Sequence, residues 1–279
     1  MVFTIVCVIF LPLSVQAKRY LTETKPLPQL SYNRSTCCPH GGLGRLDSGN
    51  YKPKGVTETV EGLPIYRVGK GEKCLIWNYD IFGLNSGRTK QTADLFADQG
   101  YMVLVPDYYR GEMRDPALHK DFMAFMQRKS NWAGQLEQDW MKRIRPHAVK
   151  HGAKRFASLG TCWGTYVTLK LCGRGEIEVG VNWHPSHVVV SKLVGEDVKT
   201  LLEGSRKCQH QLMMAAGDDA PEDKLGGLAS QILRDRLQIV EFKDMVHGWA
   251  VRGNLTDPLV KRDVQKALQG SIAFLKKYF

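Results

Sequence analysis

The sequence predicts an α/β fold in which helices cover both faces of a doubly wound, mostly parallel sheet. Three observations predict it. Strand and helix patterns alternate through the body of the chain. Polar residues follow several of the strands, where ligand chemistry gathers in sheets of this kind. A short turn over 160–164 joins a strand to a helix and has glycine at both ends, and the 279 residues are compatible with one such domain.

The first residues predict a cleaved signal peptide over 1–17. The run from Val2 to Val15 is almost wholly apolar and uncharged, and Val15 and Ala17 are small residues at the two positions that a signal peptidase reads. The alternative is an apolar membrane anchor that stays attached, although the run is short for spanning a bilayer. We therefore expect a secreted protein or one in the lumen of the secretory pathway, with no membrane span after signal cleavage.

The remaining chain divides into an arm and a domain. Residues 18–60 contain several prolines and glycines without periodicity, which predicts an irregular arm, and the catalytic domain is expected over 61–279. Apolar or alternating runs predict strands at 63–68, 74–79, 101–105, 155–159, 179–183, 211–216 and 238–242. Helical periodicity predicts helices at 86–98, 117–128, 132–150, near 191–202, 226–236 and 257–278.

Charge and composition exclude several classes of partner. The net charge is +11, but the basic residues are scattered rather than arranged as a stripe interleaved with aromatics, so no nucleic-acid partner is predicted. A solvated surface with some attraction for anionic ligands is expected instead. There is no glycine-rich phosphate loop, and the eight histidines and the cysteines are interpreted as having no paired ligand spacing, so neither cofactor nor metal is predicted. The sequence does not predict the oligomeric state.

Seven cysteines constrain the disulfides without deciding them. Cys7 would leave with the signal peptide, and if Cys162 stays a thiol the other five form an odd set, so at least one more is unpaired or bonded to another chain. Cys172 lies on an apolar helix and is interpreted as a buried small hydrophobe. Cys37 and Cys38 could each reach one of the two that remain, Cys74 and Cys208.

The turn Gly160-Thr161-Cys162-Trp163-Gly164 is typical of a nucleophile elbow, with cysteine where serine usually stands. Such a turn strains its central residue, and a Cβ at either glycine would collide with the neighbouring strand or helix. The elbow points the Cys162 sulfur along the N-terminus of the next helix, which favours the reactive thiolate. The alternative is a buried cysteine between two packing glycines.

The residues after other strands supply a histidine and an acid. Asp218 and Asp219 follow the strand that ends at 216, and His247 follows the last strand, so the order along the chain is nucleophile, acid, histidine, as in α/β-hydrolases. Asp219 is preferred because it lies two residues beyond Gly217 on the loop, and Asp218 remains the alternative. His184, after another strand, competes with His247. The backbone N–H groups of Trp163 and Ile81 would form the oxyanion hole.

The chain resembles the dienelactone hydrolase family from about residue 37 to the C-terminus. The landmarks that carry the resemblance are Asp80-Ile81-Phe82-Gly83, the elbow, Trp183-His184-Pro185-Ser186, the Gly217-Asp218-Asp219 segment and His247-Gly248-Trp249. The start Cys37-Cys38-Pro39 and the segment Pro106 to Gly111 are similar to a eukaryotic branch. The resemblance implies an α/β-hydrolase with a Cys-His-Asp triad of Cys162, His247 and Asp219 that cleaves a small ester or lactone through a thioester.

Two departures from the family concern its finer details. Bacterial members have a glutamate that holds the resting thiol, whereas Asp80 is shorter by one methylene, so thiol gating by Asp80 is an open expectation. Arg110 and Arg252 are the nearest equivalents of the arginines that hold a substrate carboxylate, which predicts an anionic or polar ester; ordinary ion pairs are the alternative. A secreted, catalytically weak binding protein of the same fold is the alternative function, and redox chemistry at Cys37 and Cys38 is a third.

Overall fold

The computed structural model describes residues 42–46, 49–115, 118, 121–216, 218 and 227–279, which build an eight-stranded sheet flanked by helices. The strands are β1 (Val56–Val60), β2 (Leu63–Val68), β3 (Lys73–Asn78), β4 (Met102–Pro106), β5 (Arg155–Thr161), β6 (Val179–Trp183), β7 (Gln209–Ala215) and β8 (Leu237–Phe242). Their order is β1-β2-β4-β3-β5-β6-β7-β8. Neighbours from β4 to β8 are parallel, and β2 is antiparallel to both β1 and β4. The predicted fold class is confirmed.

Helices connect most of the strands. They are α1 (Thr89–Ala97), α2 (Phe122–Lys129), α3 over 132–150, α4 (Gly164–Gly173), α5 (His187–Val194), α6 (Val198–Gly204), α7 (Leu228–Leu233), α8 (Trp249–Arg252) and α9 (Pro258–Tyr278). Helix α3 contains two π-helical stretches, Trp132–Leu136 and Trp140–Ile144. The helix expected near 191–202 is two helices, because left-handed Gly195 ends α5 and the Asp197 carboxylate caps α6 by accepting from Thr200 N at 2.8 Å.

The predicted arm ends earlier than residue 60. Residues 56–60 form β1, which pairs antiparallel with β2 from Val56↔Arg67 to Val60↔Leu63. Four of its five residues are valine or threonine, whose branched side chains favour a strand, and the period-2 burial is weak because this is an edge strand. The described part before it, 42–46 and 49–55, has no regular helix or strand. The expected signal peptide, 1–17, lies outside the described residues.

Helices α4 and α9 pack on opposite faces of the sheet. A Cβ added to Gly180 would lie 2.9 Å from the Thr168 methyl of α4, whereas Trp183, three residues along β6, donates from its indole to Ser271 Oγ of α9 at 2.9 Å. Residues an odd number apart on a strand point to opposite faces. Trp183 also packs edge-on against Trp77, with ring centroids 5.6 Å apart. Trp77 and Trp183 therefore belong to the core between the sheet and α9.

A buried hydrogen-bond network supports the turn after β5. Asn78, at the end of β3, donates from Nδ2 to Ser158 Oγ at 2.8 Å and to Thr168 Oγ1 at 3.1 Å. Its Oδ1 accepts from the Tyr108 hydroxyl at 2.8 Å. The network joins β3, β5, α4 and the loop after β4, and all of these groups are buried. Since each of its polar groups has a partner, it fixes the separation of β3 and β5 where the elbow leaves the sheet.

The interpretation of Cys172 as a buried hydrophobe is wrong, because Cys172 is bonded to Cys208 in a disulfide with the two Cα atoms 6.0 Å apart. Helix α4 packs beside the segment that enters β7, and this places the two sulfur atoms together. Cys74 is a buried thiol. Cys37 and Cys38 lie outside the described residues. Within the described chain, no helix is both apolar and long enough to cross a bilayer.

Candidate active site

The elbow has the steric features that its sequence predicts. Cys162 has a φ of 55°, in the left-handed region, directly before α4. A Cβ on Gly160 would lie 2.7 Å from the Gly164 carbonyl oxygen, and a Cβ on Gly164 would lie 2.0 Å from the Asn78 carbonyl oxygen. Neither distance is possible for a real side chain, so both positions require glycine. The backbone is held in a strained conformation that only the surrounding packing maintains.

Cys162 is a buried thiol whose backbone is held by β6 and by the loop that follows it. Its N–H donates to the Trp183 carbonyl at 3.1 Å, and its carbonyl accepts from Ser186 N at 3.2 Å. The Ser186 hydroxyl lies 3.5 Å from the Cys162 sulfur and donates to it. The sequence pattern predicts no role for Ser186, although its position directly after a strand end is the signal that could have identified it.

Asp218 is the acid that contacts the predicted histidine. Its Oδ1 lies 2.5 Å from His247 Nδ1, and its Oδ2 accepts from Ala215 N at 2.7 Å, so the end of β7 fixes the carboxylate. The side chain of Asp218 is fully buried. Asp219, the preferred acid from the sequence, lies outside the described residues, so the acid contact within the described chain belongs to the alternative, Asp218. With Nδ1 donating to Asp218, Nε2 is the ring nitrogen left for proton exchange.

The competing histidine, His184, packs against His247 instead of taking its place. The two rings are nearly perpendicular, with centroids 4.9 Å apart. Burial lowers the pKa of His184 well below its ordinary value, and the neighbouring His247 and Arg252 act in the same direction. Neither ring nitrogen of His184 has a hydrogen-bond partner among the described residues. His184 is therefore a neutral wall of the site and does not bond to an acid there.

Asp80, after β3, and Arg252, in α8, form a buried ion pair. Arg252 Nη1 donates to Asp80 Oδ2, and Asp80 Oδ1 accepts from Phe82 N at 2.8 Å. Both side chains are essentially inaccessible to solvent. Burial raises the pKa of Asp80 and the Cys162 charge adds to this, while the Arg252 guanidinium opposes it. Both Asp80 oxygens thus have partners other than the thiol that this aspartate is expected to gate.

The described arm completes the surroundings of Arg252. Leu43 donates from N to the His247 carbonyl at 2.9 Å and accepts at its own carbonyl from Arg252 Nε at 3.1 Å. Arg252 Nη2 is buried without a hydrogen-bond partner in the described structure, and a Cβ on Gly248 would lie 2.1 Å from it. The arm therefore contacts the segment that contains His247 and Arg252, and its irregular sequence does not indicate this contact.

Arg110 lies in a different environment. Its Nη2 donates to Asp139 Oδ1 at 2.8 Å, and its Nη1 donates to Asp139 Oδ2 at 3.1 Å and to the Tyr108 carbonyl at 3.2 Å. Asp139 on α3 is buried and also accepts from Arg143 at 3.1 Å. The geometry is that of the ordinary ion pair, which the sequence leaves open as the alternative to substrate binding.

The two predicted oxyanion donors lie in the turn after β5 and in the loop after β3. Trp163 follows Cys162 at the start of α4, its indole donating to Ser130 Oγ at 2.8 Å, and Ile81 follows Asp80 after β3. Within the described residues, neither backbone N–H donates to another protein group. The Tyr109 hydroxyl is also buried without a partner there. Burial raises the pKa of Tyr109 well above its ordinary value, so its hydroxyl is neutral, and its ring packs against Trp163 with centroids 4.9 Å apart.

Comparison with known proteins identifies the family to which the chain belongs. The model of the family described as the dienelactone hydrolase family matches residues 68–279. A dienlactone hydrolase of Gibberella moniliformis is 25% identical over 263 residues, covering 89% of this chain and 95% of the relative. A carboxymethylenebutenolidase homolog of Rattus norvegicus is 26% identical over 255 residues, with 88% and 99% covered.

Solved structures share the fold. A dienelactone hydrolase-like promiscuous phosphotriesterase from metagenomic libraries superposes with a TM-score of 0.57 at 15% identity, covering 80% of this chain and 98% of that one. The acylaminoacyl peptidase of Pyrococcus horikoshii gives a TM-score of 0.60 at 13% identity, covering 82% of this chain and 42% of the peptidase. At these identities the likeness concerns architecture alone.

Proposed function

Since the chain belongs to the dienelactone hydrolase family, we propose that it cleaves a small ester or lactone through Cys162, His247 and Asp218. Membership makes the protein a hydrolase that acts on ester bonds of a small-molecule substrate. Two observations carry the finer proposal: the His247–Asp218 hydrogen bond, and the strained elbow that holds Cys162 at a φ of 55°. Asp218 replaces Asp219 in this proposal, because its carboxylate already holds His247 Nδ1.

The first chemical step forms a thioester. His247 and Cys162 share a proton as imidazolium and thiolate, and the thiolate attacks the carbonyl carbon of the ester. Collapse of the tetrahedral intermediate breaks the bond to the alkoxide, which takes the proton from His247 Nε2 and leaves as an alcohol. Asp218 stabilises the imidazolium and holds the neutral ring in the tautomer that carries its proton on Nδ1. In a lactone the leaving hydroxyl stays on the same molecule.

The second step restores the thiol by hydrolysis. Water gives a proton to His247 Nε2 while its oxygen attacks the thioester carbonyl, and the carbon–sulfur bond breaks to release the acid and the Cys162 thiolate. The Trp163 and Ile81 N–H groups would hold the carbonyl oxygen as it becomes negative in both steps. The Tyr109 hydroxyl is a further donor within the same buried region.

For substrate binding the proposal retains Arg252 and omits Arg110. Arg252 Nη2 has donors without a partner in the described chain, whereas both terminal nitrogens of Arg110 already have acceptors. A carboxylate on the substrate would accept hydrogen bonds from Arg252 Nη2. Asp80, which pairs with Arg252, is proposed to position this arginine, and a direct role of Asp80 on the thiol requires it to leave that pair.

The experiment is a burst assay with p-nitrophenyl acetate on the protein and on Cys162→Ser. Cys74→Ser serves as the matched control, because Cys74 is the other buried thiol among the described residues and burial raises its pKa far out of the reactive range. We expect a burst of one p-nitrophenol per chain that iodoacetamide abolishes in the wild type and in Cys74→Ser. Cys162→Ser should lose at least about 10³-fold in kcat/KM.

Two results would reject the cysteine mechanism. Cys162→Ser could keep the wild-type rate, or a panel of short esters and lactones could give neither burst nor turnover with the correctly folded chain. The second result supports the alternative of a secreted binding protein with this fold. Mass spectrometry of the acid-quenched enzyme distinguishes the cases directly, because a thioester adds the acyl mass to the peptide that contains Cys162.

We also propose that the mature protein works in an oxidising compartment. The apolar segment 1–17 supports export, and the Cys172–Cys208 disulfide suits the secretory lumen or the outside of the cell, since cytosolic proteins rarely keep such bonds. Sequencing the N-terminus of protein from the native host should give Lys18 as the first residue. Recovery of a chain that still begins at Met1 would remove this proposal and leave the hydrolase chemistry untouched.

A further inference from the structure

Three side chains with metal-ligating atoms meet away from the active site. They are Glu58 on β1, His147 near the end of α3 and His151, the residue that caps α3. One ligand atom from each lies within 4.8 Å of the others. His147 Nε2 is 3.4 Å from Glu58 Oε2, and His151 Nε2 is 4.0 Å from Glu58 Oε1. The two imidazole rings are 4.6 Å apart between centroids.

The cluster is separate from the proposed catalytic residues. Glu58 belongs to the edge strand β1, and in sheet order β2, β4 and β3 lie between β1 and β5, which leads to the elbow. Strands are about 4.8 Å apart, so β1 and β5 are about 19 Å apart across the sheet. The histidines precede β5, whereas Cys162 follows it.

The donor set and its spacing suit a tetrahedral metal ion. Histidines four residues apart project from the same face of a helix, and a carboxylate from a neighbouring element completes the two-histidine, one-carboxylate set found in zinc proteins. Zinc lies about 2.0–2.1 Å from such ligands, which places the ligands of a tetrahedral site about 3.4 Å from one another. The ligand atoms of this cluster all lie within 4.8 Å of one another, so none of their separations exceeds the tetrahedral value by more than about 1.4 Å.

A buried atom without a partner points to a ligand at this place. His147 Nε2 is inaccessible to solvent and makes no hydrogen bond in the described structure, and it lies 3.4 Å from Glu58 Oε2. Burial lowers the pKa of His147, and the neighbouring Glu58 carboxylate acts in the opposite direction. The hydrogen bond from Arg67 lowers the pKa of Glu58, so its carboxylate is ionised.

Arg67 places a positive charge beside the cluster and also orients the Glu58 carboxylate. Its Nε donates to Glu58 Oε2 at 2.8 Å, so it fixes one carboxylate oxygen while Oε1 faces His151. An arginine beside the site disfavours hard ions such as Mg²⁺ and Ca²⁺, whose binding depends mainly on charge and oxygen ligands. Two imidazoles favour a borderline-soft transition metal instead.

We propose that Glu58, His147 and His151 bind one Zn²⁺ ion that ties the edge strand β1 to the end of α3. A water molecule would take the fourth position. The ion would stabilise the folded chain without entering ester hydrolysis. The interpretation that the histidines have no paired ligand spacing overlooks the four-residue spacing of 147 and 151, because the carboxylate that completes the set comes from a strand assigned to the irregular arm.

The test is Zn²⁺ binding by the full chain in competition with a chromophoric chelator, without reductant so that the Cys172–Cys208 disulfide stays closed. Cys162→Ser is the background, because a reactive thiol beside a histidine also binds Zn²⁺. The test variants His151→Gln and Glu58→Gln are made in this background. Glu61→Gln, at an exposed acid just after β1, is the matched control. His151 is partly exposed, so its variant is expected to fold.

We expect one Zn²⁺ per chain in the background protein and in Glu61→Gln. His151→Gln and Glu58→Gln should each lower the affinity at least about 10-fold, and Zn²⁺ should raise the melting temperature of the background protein but not of His151→Gln. The proposal is overturned if the background protein binds no Zn²⁺ at concentrations well above that of the chain. It is equally overturned if His151→Gln and Glu58→Gln bind as tightly as the background.

Discussion

The pairs Arg252–Asp80 and Arg110–Asp139 each include a residue that follows a strand, and they differ in what surrounds them. Arg252 and Asp80 are both fully buried beside His247, and one terminal nitrogen of Arg252 lacks a partner in the described structure. Arg110 is partly exposed and binds Asp139 through both terminal nitrogens. We call Asp80, His184, Asp218, His247 and Arg252 the His247 region. We call Arg110 and its partner Asp139 the Arg110 loop.

The difference separates a functional environment from a structural one. A buried charge with an unused donor costs free energy that a stability role alone does not require, and such arrangements occur at functional sites. Asp139, in contrast, binds both terminal nitrogens of Arg110 and also binds Arg143, so its charge is neutralised within the protein. Both arginines follow predicted strands, so the sequence does not distinguish them; their burial and their partners do.

The largest effect should come from the acid of the His247 region. Asp218→Asn leaves the shape of the site intact but favours the wrong tautomer of His247, so kcat/KM should fall by about 10³–10⁴. Asp139→Asn in the Arg110 loop should lower stability while changing kcat/KM by less than about threefold. Steady-state kinetics with p-nitrophenyl acetate measures both. A loss confined to Asp219→Asn, with Asp218→Asn active, would return the triad acid to Asp219.

The next largest effect should be on stability. Arg252→Ala leaves the Asp80 carboxylate buried without its countercharge and should cost about 3–5 kcal/mol of unfolding free energy. Arg110→Ala should cost about 1 kcal/mol or less, because Asp139 keeps Arg143. Urea denaturation followed by fluorescence gives both values. Equal costs would erase the distinction between the two regions.

Arg252 also allows a test on substrate charge. Arg252→Lys keeps a cation opposite Asp80 but removes the planar fork. If Arg252 Nη2 binds a substrate carboxylate, the KM of this variant should rise more for carboxylate-bearing esters than for neutral ones. An equal rise for both kinds of ester would leave Arg252 as a structural partner of Asp80.

The smallest effect concerns pH and the neutral histidine of the His247 region. The folded pKa of His184 lies below its unfolded value of about 6.5, so the unfolded chain binds more protons in that window. Stability should therefore fall as pH drops below about 6.5, by up to about 1.4 kcal/mol per pH unit from this group. His184→Asn, which tolerates the φ of 38°, should reduce this slope, whereas Arg110→Ala should not. Urea denaturation from pH 7 to 5 measures the slopes.

Much of the fold could be predicted because its signals are local. The strands at 63–68 and 179–183 begin and end where the apolar runs predict. Strand β1 could not be recognised as easily, since an edge strand with an exposed face lacks a strong pattern and its neighbours are rich in proline and glycine. The division of one predicted helix into α5 and α6 depends on a single left-handed glycine, Gly195.

The site was predictable in its members more than in their contacts. Cys162 and His247 stand out because an elbow and a strand-end histidine have sequence signatures. The partner of His247 does not, since Asp218 and Asp219 are adjacent and chemically identical. The roles of Ser186 and Leu43 were not visible, because one contacts the sulfur from a different strand end and the other reaches the site from an arm without any pattern.

Local sterics and periodicity thus sufficed for the α/β architecture, the elbow glycines and the order of nucleophile, acid and histidine, because each depends on residues close together along the chain. Which oxygen faces His247 Nδ1, which aspartate neutralises Arg252 and which sulfur meets Cys172 depended on how distant loops and helices come together. These pairings join residues from 29 to 172 positions apart, so packing of the whole sheet had to select among chemically equivalent partners.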